Sequence, residues 1–331
     1  MIRFALRRLS VAGLQVLLVT FVAYLLFYVI TSLTGASPAQ RVAGHAADPA
    51  QVRRVAHLLG TDLPWYLQYL HFLGGTMRGD FGFSFQQRLP VAEIVFPAAG
   101  VTSSLVIGAA LLWILIAIVV GLVGATWPRS IADRGLAVIV QIGISAPVFW
   151  VAPMLSFALA YQPSQGTIFG IPIGTSIAWL PIEGYVDFTQ NPLEWMRHLV
   201  LPCLALALGF AAFYARFVRA LVLEQLGEDY VQVARAKGAS YLRILVSHVG
   251  RVVAPAIVTL VGLDVGATLG GALFVEQTFG LPGLGHVAVS SIQNLDFPLT
   301  IGAITFAALM AVAANTAADI FQAALDPRVR G

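Results

Sequence analysis

Glu228-Asp229-Tyr230-Val231-Gln232-Val233-Ala234-Arg235-Ala236-Lys237-Gly238-Ala239 is the stretch whose setting decides the fold. It is the centre of a basic, polar segment, Arg216 to Arg251, set between two long apolar runs, roughly Leu199–Val222 and Val252–Val275. On a helix turning about 100° per residue, Tyr230, Ala234, Lys237, Gly238 and Tyr241 fall on one side. Two aromatics then bracket small residues, a shallow dent between two anchors. Glu228 and Asp229 stand at the helix start and Arg235 and Lys237 near its end, the order that the helix dipole favours. Gly238 is placed to stop the helix and turn the chain, and a second short helix is expected over Ser240 to His248. Periodicity alone leaves two uses open. Such a helix can lie on anionic lipid headgroups, or it can dock against a partner protein.

Outward from that stretch, the chain reads as a membrane protein. Of its 331 residues 58% are hydrophobic and 11% charged, where soluble domains carry about 25% charge; the mean hydropathy is +0.84. Four further apolar runs, roughly Ser10–Leu33, Val101–Trp127, Gly135–Tyr161 and Pro298–Ala324, join the two already named. Each suffices for the roughly 20 residues that cross a bilayer as a helix, and without water to bond the backbone they must be helices. The first run exceeds the roughly 7–15 residues of a signal-peptide core, so it is expected to be retained. The expected fold class is an all-α membrane protein with six transmembrane helices.

Basic residues orient these runs. With the N-terminus inside, the inner segments hold 13 of the 19. They are Arg3, Arg7 and Arg8, then Arg129 and Arg134, six between Arg216 and Arg251, and Arg328 and Arg330. Both termini are therefore expected in the cytoplasm. A net charge of +3 is too small to argue for nucleic acid. The single cysteine, Cys203, allows neither an intrachain disulfide nor a cysteine metal cluster, and reads as a core residue. Two long outer segments, residues 34–100 and 162–198, contain interfacial aromatics such as Trp65, Tyr66, Trp179 and Trp195 and read as ordered external caps. Pro147 and Pro153 beside Gly143 should kink the third span. The chain divides at about 98/99, a first helix with a long outer loop followed by a five-helix core.

Tyr230 to Gly238 resembles the permease signature of binding-protein-dependent ABC importers. The form D-Y-x-x-x-A-R-A-K-G, matched by Asp229 to Gly238, resembles the B-type permease of oligopeptide and dipeptide importers. The general E-A-A pattern is altered, because Gln232-Val233-Ala234 stands in its place and the glutamate is absent. Other landmarks follow in order over nearly the whole chain: Arg7-Arg8-Leu9, Leu59 to Pro64, Gly79 to Ser84, Arg88 to Val91, Val275 to Gly285, and Asp326-Pro327-Arg328. Pro255 sits one residue earlier than the family's proline.

The resemblance implies a type I ABC importer permease fold in a bacterial inner membrane. It implies that the segment at about 228–248 is a coupling helix docked in a cytosolic ATPase. The contact residues would be Asp229, Tyr230, Gln232, Ala234, Arg235, Lys237, Gly238 and Ala239, with Tyr230, Ala234 and Gly238 packed closest. It also implies a second homologous permease subunit, two ABC ATPase subunits, an external substrate-binding protein and a peptide cargo, with nickel, glutathione or another small solute as alternatives. The chain itself has no P-loop, because its one lysine, Lys237, follows Ala236 and precedes Gly238. ATP and Mg therefore belong to partner subunits. Asp264, near the middle of the fifth span, is costly at bilayer depth. It either lines the translocation path, meeting the amino terminus of a peptide, or bonds a neighbouring helix; the family position more often carries a neutral amide. A self-powered secondary transporter would show inverted repeats and ion sites, and an intramembrane hydrolase would need a nucleophile, base and oxyanion hole. Neither pattern is evident.

Overall fold

The computed structural model describes residues 2–34, 38–44, 47–126, 130, 135, 138, 140, 141, 143, 145–172, 176 and 179–325. Part of the expected third span, Arg129 and Arg134, and the Asp326-Pro327-Arg328 landmark lie outside them. Among the described residues five helices are long and apolar enough to cross a membrane: Arg8–Leu26, Val91–Thr126, Pro192–Leu226, Tyr241–Gly262 and Phe297–Ile320. The outward exposure of Leu14, Leu111 and Leu115 suits a lipid surround.

The chain forms two compact units. The first comprises Ser103–Leu281 and Ala314–Gly331, the second Ile2–Thr102 and Pro282–Ala313. In the second unit, α1 (Ile2–Thr34), α2 (Pro38–Ala43), α3 (Pro49–Leu59) and α4 (Trp65–Thr76) precede α5 (Val91–Thr126), which continues into the first unit. Aromatics join α1 to α4: Phe21 meets Tyr69 edge-on, and the Tyr24 hydroxyl donates to Gln68 Oε1 at 3.0 Å. The segment between the first two apolar runs thus contains helices, and α4 is bonded to α1.

In the first unit, α6 (Val148–Ser156) contains Pro153 and passes into a π-helical turn, Phe157–Tyr161, and α7 (Gln162–Ser164). A widened turn close after a proline is a usual way for a helix to bend. A two-residue hairpin follows, β1 (Thr167–Ile168) paired antiparallel with β2 (Ile171–Pro172). The long α8 (Pro192–Leu226) starts from Asn191, whose side chain accepts from the amides of Leu193 and Glu194. After it come α9 (Asp229–Ala236), α10 (Tyr241–Arg243), a π-helical stretch Ile244–Val249, and α11 (Gly250–Phe279). The second unit then holds α12 (Leu284–Gln293), and α13 (Phe297–Leu325) starts there and runs on into the first unit.

Small residues set the helix spacing. A Cβ on Gly121 would lie 2.8 Å from the Val218 side chain, and one on Gly108 would lie 2.7 Å from Cys203 Sγ. So α5 approaches α8 closely, with Cys203 as the buried core residue expected of it. On α11, Gly262 lies against Ala318 and Gly266 against Asn315 of α13. Packing of this kind is what holds helices together where the surroundings are already apolar.

Candidate functional site

Helix α9 is built by local sequence and seated by packing. Glu228 is its N-cap, with extended backbone, and Asp229 lies in the first turn and Arg235 in the last. Gly238 has φ +81, in the left-handed region. Its amide donates to Arg235 O at 2.9 Å, and that of Ala239 to Ala234 O at 3.1 Å. This pair of bonds is a Schellman close, the reason for a glycine at that position. Nothing lies within 4 Å of a Cβ built on Gly238, so the requirement is backbone conformation rather than space. The second short helix expected over Ser240 to His248 is not a separate element. Ser240 caps α10 by accepting from the Arg243 amide, and the chain stays helical from Tyr241 through the π stretch into α11.

The inner side of α9 is Val231 and Ala234, both buried. They pack with Ala125 of α5, Val218 and Val222 of α8, Ile244, Leu245 and Val249 of the π stretch, and Val253 of α11. Ala239 packs against the same group. Burying a valine is worth about 1.5–3 kcal/mol, so α9 is wedged among helix ends and not merely strung between them. Ala234 therefore faces the protein's own core, not outward beside Tyr230 as the helical projection suggests. Asp229, Tyr230, Gln232, Arg235, Lys237 and Gly238 are exposed. The Tyr230 hydroxyl donates to Gln225 Oε1 at 3.0 Å, and partial desolvation, with the Glu228 carboxylate nearby, pushes its phenol above the usual range. Exposed apolar side chains extend this outer side, Val233 at 52%, Leu242 at 71% and Val246 at 62%. The arrangement offers a partner a mixed apolar and charged surface on an element fixed to three long helices.

Asp264 stands halfway along α11, apart from α9. Tyr214 of α8, fully buried, donates its hydroxyl to Asp264 Oδ2 at 2.6 Å. The same carboxylate lines an open cavity of about 410 Å³ with Val148, Leu206, Gly209, Phe210 and Phe213. The carboxylate thus bonds a neighbouring helix and also faces a cavity. Two residues with consequences escaped the sequence reading. Tyr214 is one; its burial on a helix already rich in apolar residues left no signal. Asp296 is the other, only 1% exposed. It accepts from Ser84 Oγ, Phe85 N and Gln86 N, tying the Gly79-to-Ser84 landmark to the turn before α13. A lone aspartate at the edge of an apolar run carries no pattern that predicts this pairing over 212 residues of chain.

The family described as binding-protein-dependent transport system inner membrane component matches residues 114–331. The corresponding N-terminal membrane component matches residues 1–106. The chain is 33% identical over 316 residues, 96% of each chain, to a putative peptide transport system permease protein of Brucella abortus (strain 2308). It is 30% identical, over 92% of each chain, to a probable peptide ABC transporter permease protein of Sinorhizobium fredii (strain NBRC 101917 / NGR234). It is 31% identical, over 94% of each, to a glutathione transport system permease protein of Escherichia coli (strain K12). The apolar helices and these matches agree, and the chain belongs to the family of inner membrane components of binding-protein-dependent transport systems.

Proposed function

We propose that this chain is the B-type permease subunit of an ATP-driven peptide importer. The observation that carries the reading is its similarity, over 96% of its length, to a relative named as a peptide transport permease. In this reading residues 1–98 form the first transmembrane helix and an outer loop, and 99–331 the core. Six helices cross the bacterial inner membrane with both termini in the cytoplasm. A second homologous permease completes the path, two ABC ATPases bind ATP and Mg, and an external binding protein delivers the peptide.

Asp229 to Ala239 is the contact with an ATPase. Support comes from the packing of α9: Val231 and Ala234 tie it to the ends of α5, α8 and α11. Closure of the ATPases would then move these helices as a body, a rigid-body switch between two states. Gly238→Arg should abolish uptake of radiolabelled trialanine and weaken ATPase co-purification, while leaving the amount of chain in the membrane unchanged. Unimpaired uptake would sink the coupling role.

Glutathione is a second cargo with specific support, from the Escherichia coli relative. Cells expressing the complete transporter, given trialanine or glutathione, distinguish the two. Uptake of glutathione without trialanine would replace the peptide reading.

A further inference from the structure

We propose that Asp264 and its aromatic surroundings form an ammonium-binding site in the translocation path, with Tyr214 as the residue that positions the carboxylate; this rests on the peptide-importer reading above. The first support is the way the carboxylate is held. Oδ2 takes the Tyr214 proton donor at 2.6 Å, and Oδ1 has no partner among the described residues. A carboxylate anchored through one oxygen presents the other in a fixed direction. Tyr214 is itself fixed, fully buried beside Phe213 edge-on and stacked on Trp113.

The second support is what surrounds it. Among the described residues lining the cavity, Asp264 alone is charged and none is basic; the rest are Val148, Leu206, Gly209, Phe210 and Phe213. The first cation beyond the site on α8, Arg216, donates to Gln141 Oε1 at 2.9 Å. A phenol hydrogen bond solvates the carboxylate without cancelling its charge, and a charge at such depth calls for a counter-ion. The walls favour an organic one, since Phe210 and Phe213 line the cavity and aromatic rings attract an ammonium through their quadrupoles. Carboxylate and aromatic walls together suit the protonated amino terminus or a cationic side chain of a peptide. Among the described residues lining the cavity, Asp264 supplies the only side-chain oxygens, well short of a metal ion's usual shell.

The cavity size fits this use, because about 410 Å³ admits a residue or two of peptide. It is open on one side, so a passing ligand can reach the carboxylate without unfolding α8 or α11. Leu206 and Gly209 lie on the same side of α8 as Phe210 and Phe213. The site is therefore formed by helices of one unit.

The test is equilibrium binding to the full chain, assembled with its partner permease in lipid nanodiscs, with trialanine and N-acetyl-trialanine as probes. Trialanine should bind saturably to the wild type. Asp264→Asn, nearly isosteric, should weaken trialanine at least tenfold and leave N-acetyl-trialanine within twofold. Tyr214→Phe keeps the charge but loses the anchor, and should weaken trialanine about threefold. Equal losses for both probes, unchanged trialanine binding in Asp264→Asn, or no saturable wild-type binding overturns the site. ATP-driven uptake of trialanine by the complete transporter is measured alongside. Uptake with a failed binding pattern removes the site and leaves the importer reading standing; absent uptake removes both.

Discussion

Gly238 and Asp296 illustrate two different ways in which one residue is constrained. At Gly238 the constraint is backbone conformation, φ +81 with open space around it. Gly238→Ala should cost about 1 kcal/mol and Gly238→Asn less, seen as the order of thermal midpoints of the purified complex. If Ala and Asn at this position cost the same, the αL argument fails. At Asp296 the constraint is a set of donors. Asp296→Ala strands the buried Ser84 hydroxyl and two partly buried amides, the hydroxyl alone worth about 1–3 kcal/mol. A drop in midpoint larger than that of Gly238→Ala is expected, with Asp296→Asn between them because the amide oxygen still accepts. The glycine was legible from the sequence, since a helical stretch ending in Gly predicts its own stop. The aspartate was not, because its partners are distant in the chain.

At the scale of elements, the helix contacts depend on which glycines are covered. Gly262, Gly266 and Gly270 recur at intervals of four on α11. A Cβ on Gly266 would lie 2.0 Å from Asn315 Oδ1, whereas one on Gly270 meets nothing within 4 Å. Gly266→Leu should therefore reduce the folded protein recovered in detergent, by about 1–3 kcal/mol or more of overpacking. Gly270→Leu should have little effect, measured as the monodisperse fraction on size exclusion. The sequence shows three equivalent glycines, and only the approach of α13 separates them. In the same way, helical projection placed Ala234 beside Tyr230, but α9 turns Ala234 and Val231 into the core. Val231→Ala should cost about 1–3 kcal/mol and loosen α9 from the helix ends. A variant as stable as wild type would contradict the wedge.

For the whole molecule, orientation in the membrane is the property that charge placement predicts. Cys203 is buried, so a Cys203→Ser background is a clean start for single reporters at exposed positions. Ala236→Cys should react with a membrane-impermeant maleimide only after the cells are opened, and Gln190→Cys in intact cells. The reverse pattern would invert the proposed topology. Composition and run length sufficed for an all-α membrane protein, because lipid leaves the backbone few alternatives to the helix. Motif order sufficed for the family, through landmarks spread along the chain. The location of α9 between two long helices, its cap residues and its glycine stop were all local, and so could be read from local sequence. The side it buries, the glycines that touch a neighbour, and the pairings of Tyr214 with Asp264 and Asp296 with Ser84 were decided only in the folded structure. Their energies come from contacts between residues remote in sequence, and a one-dimensional pattern of polarity does not record which helix faces meet.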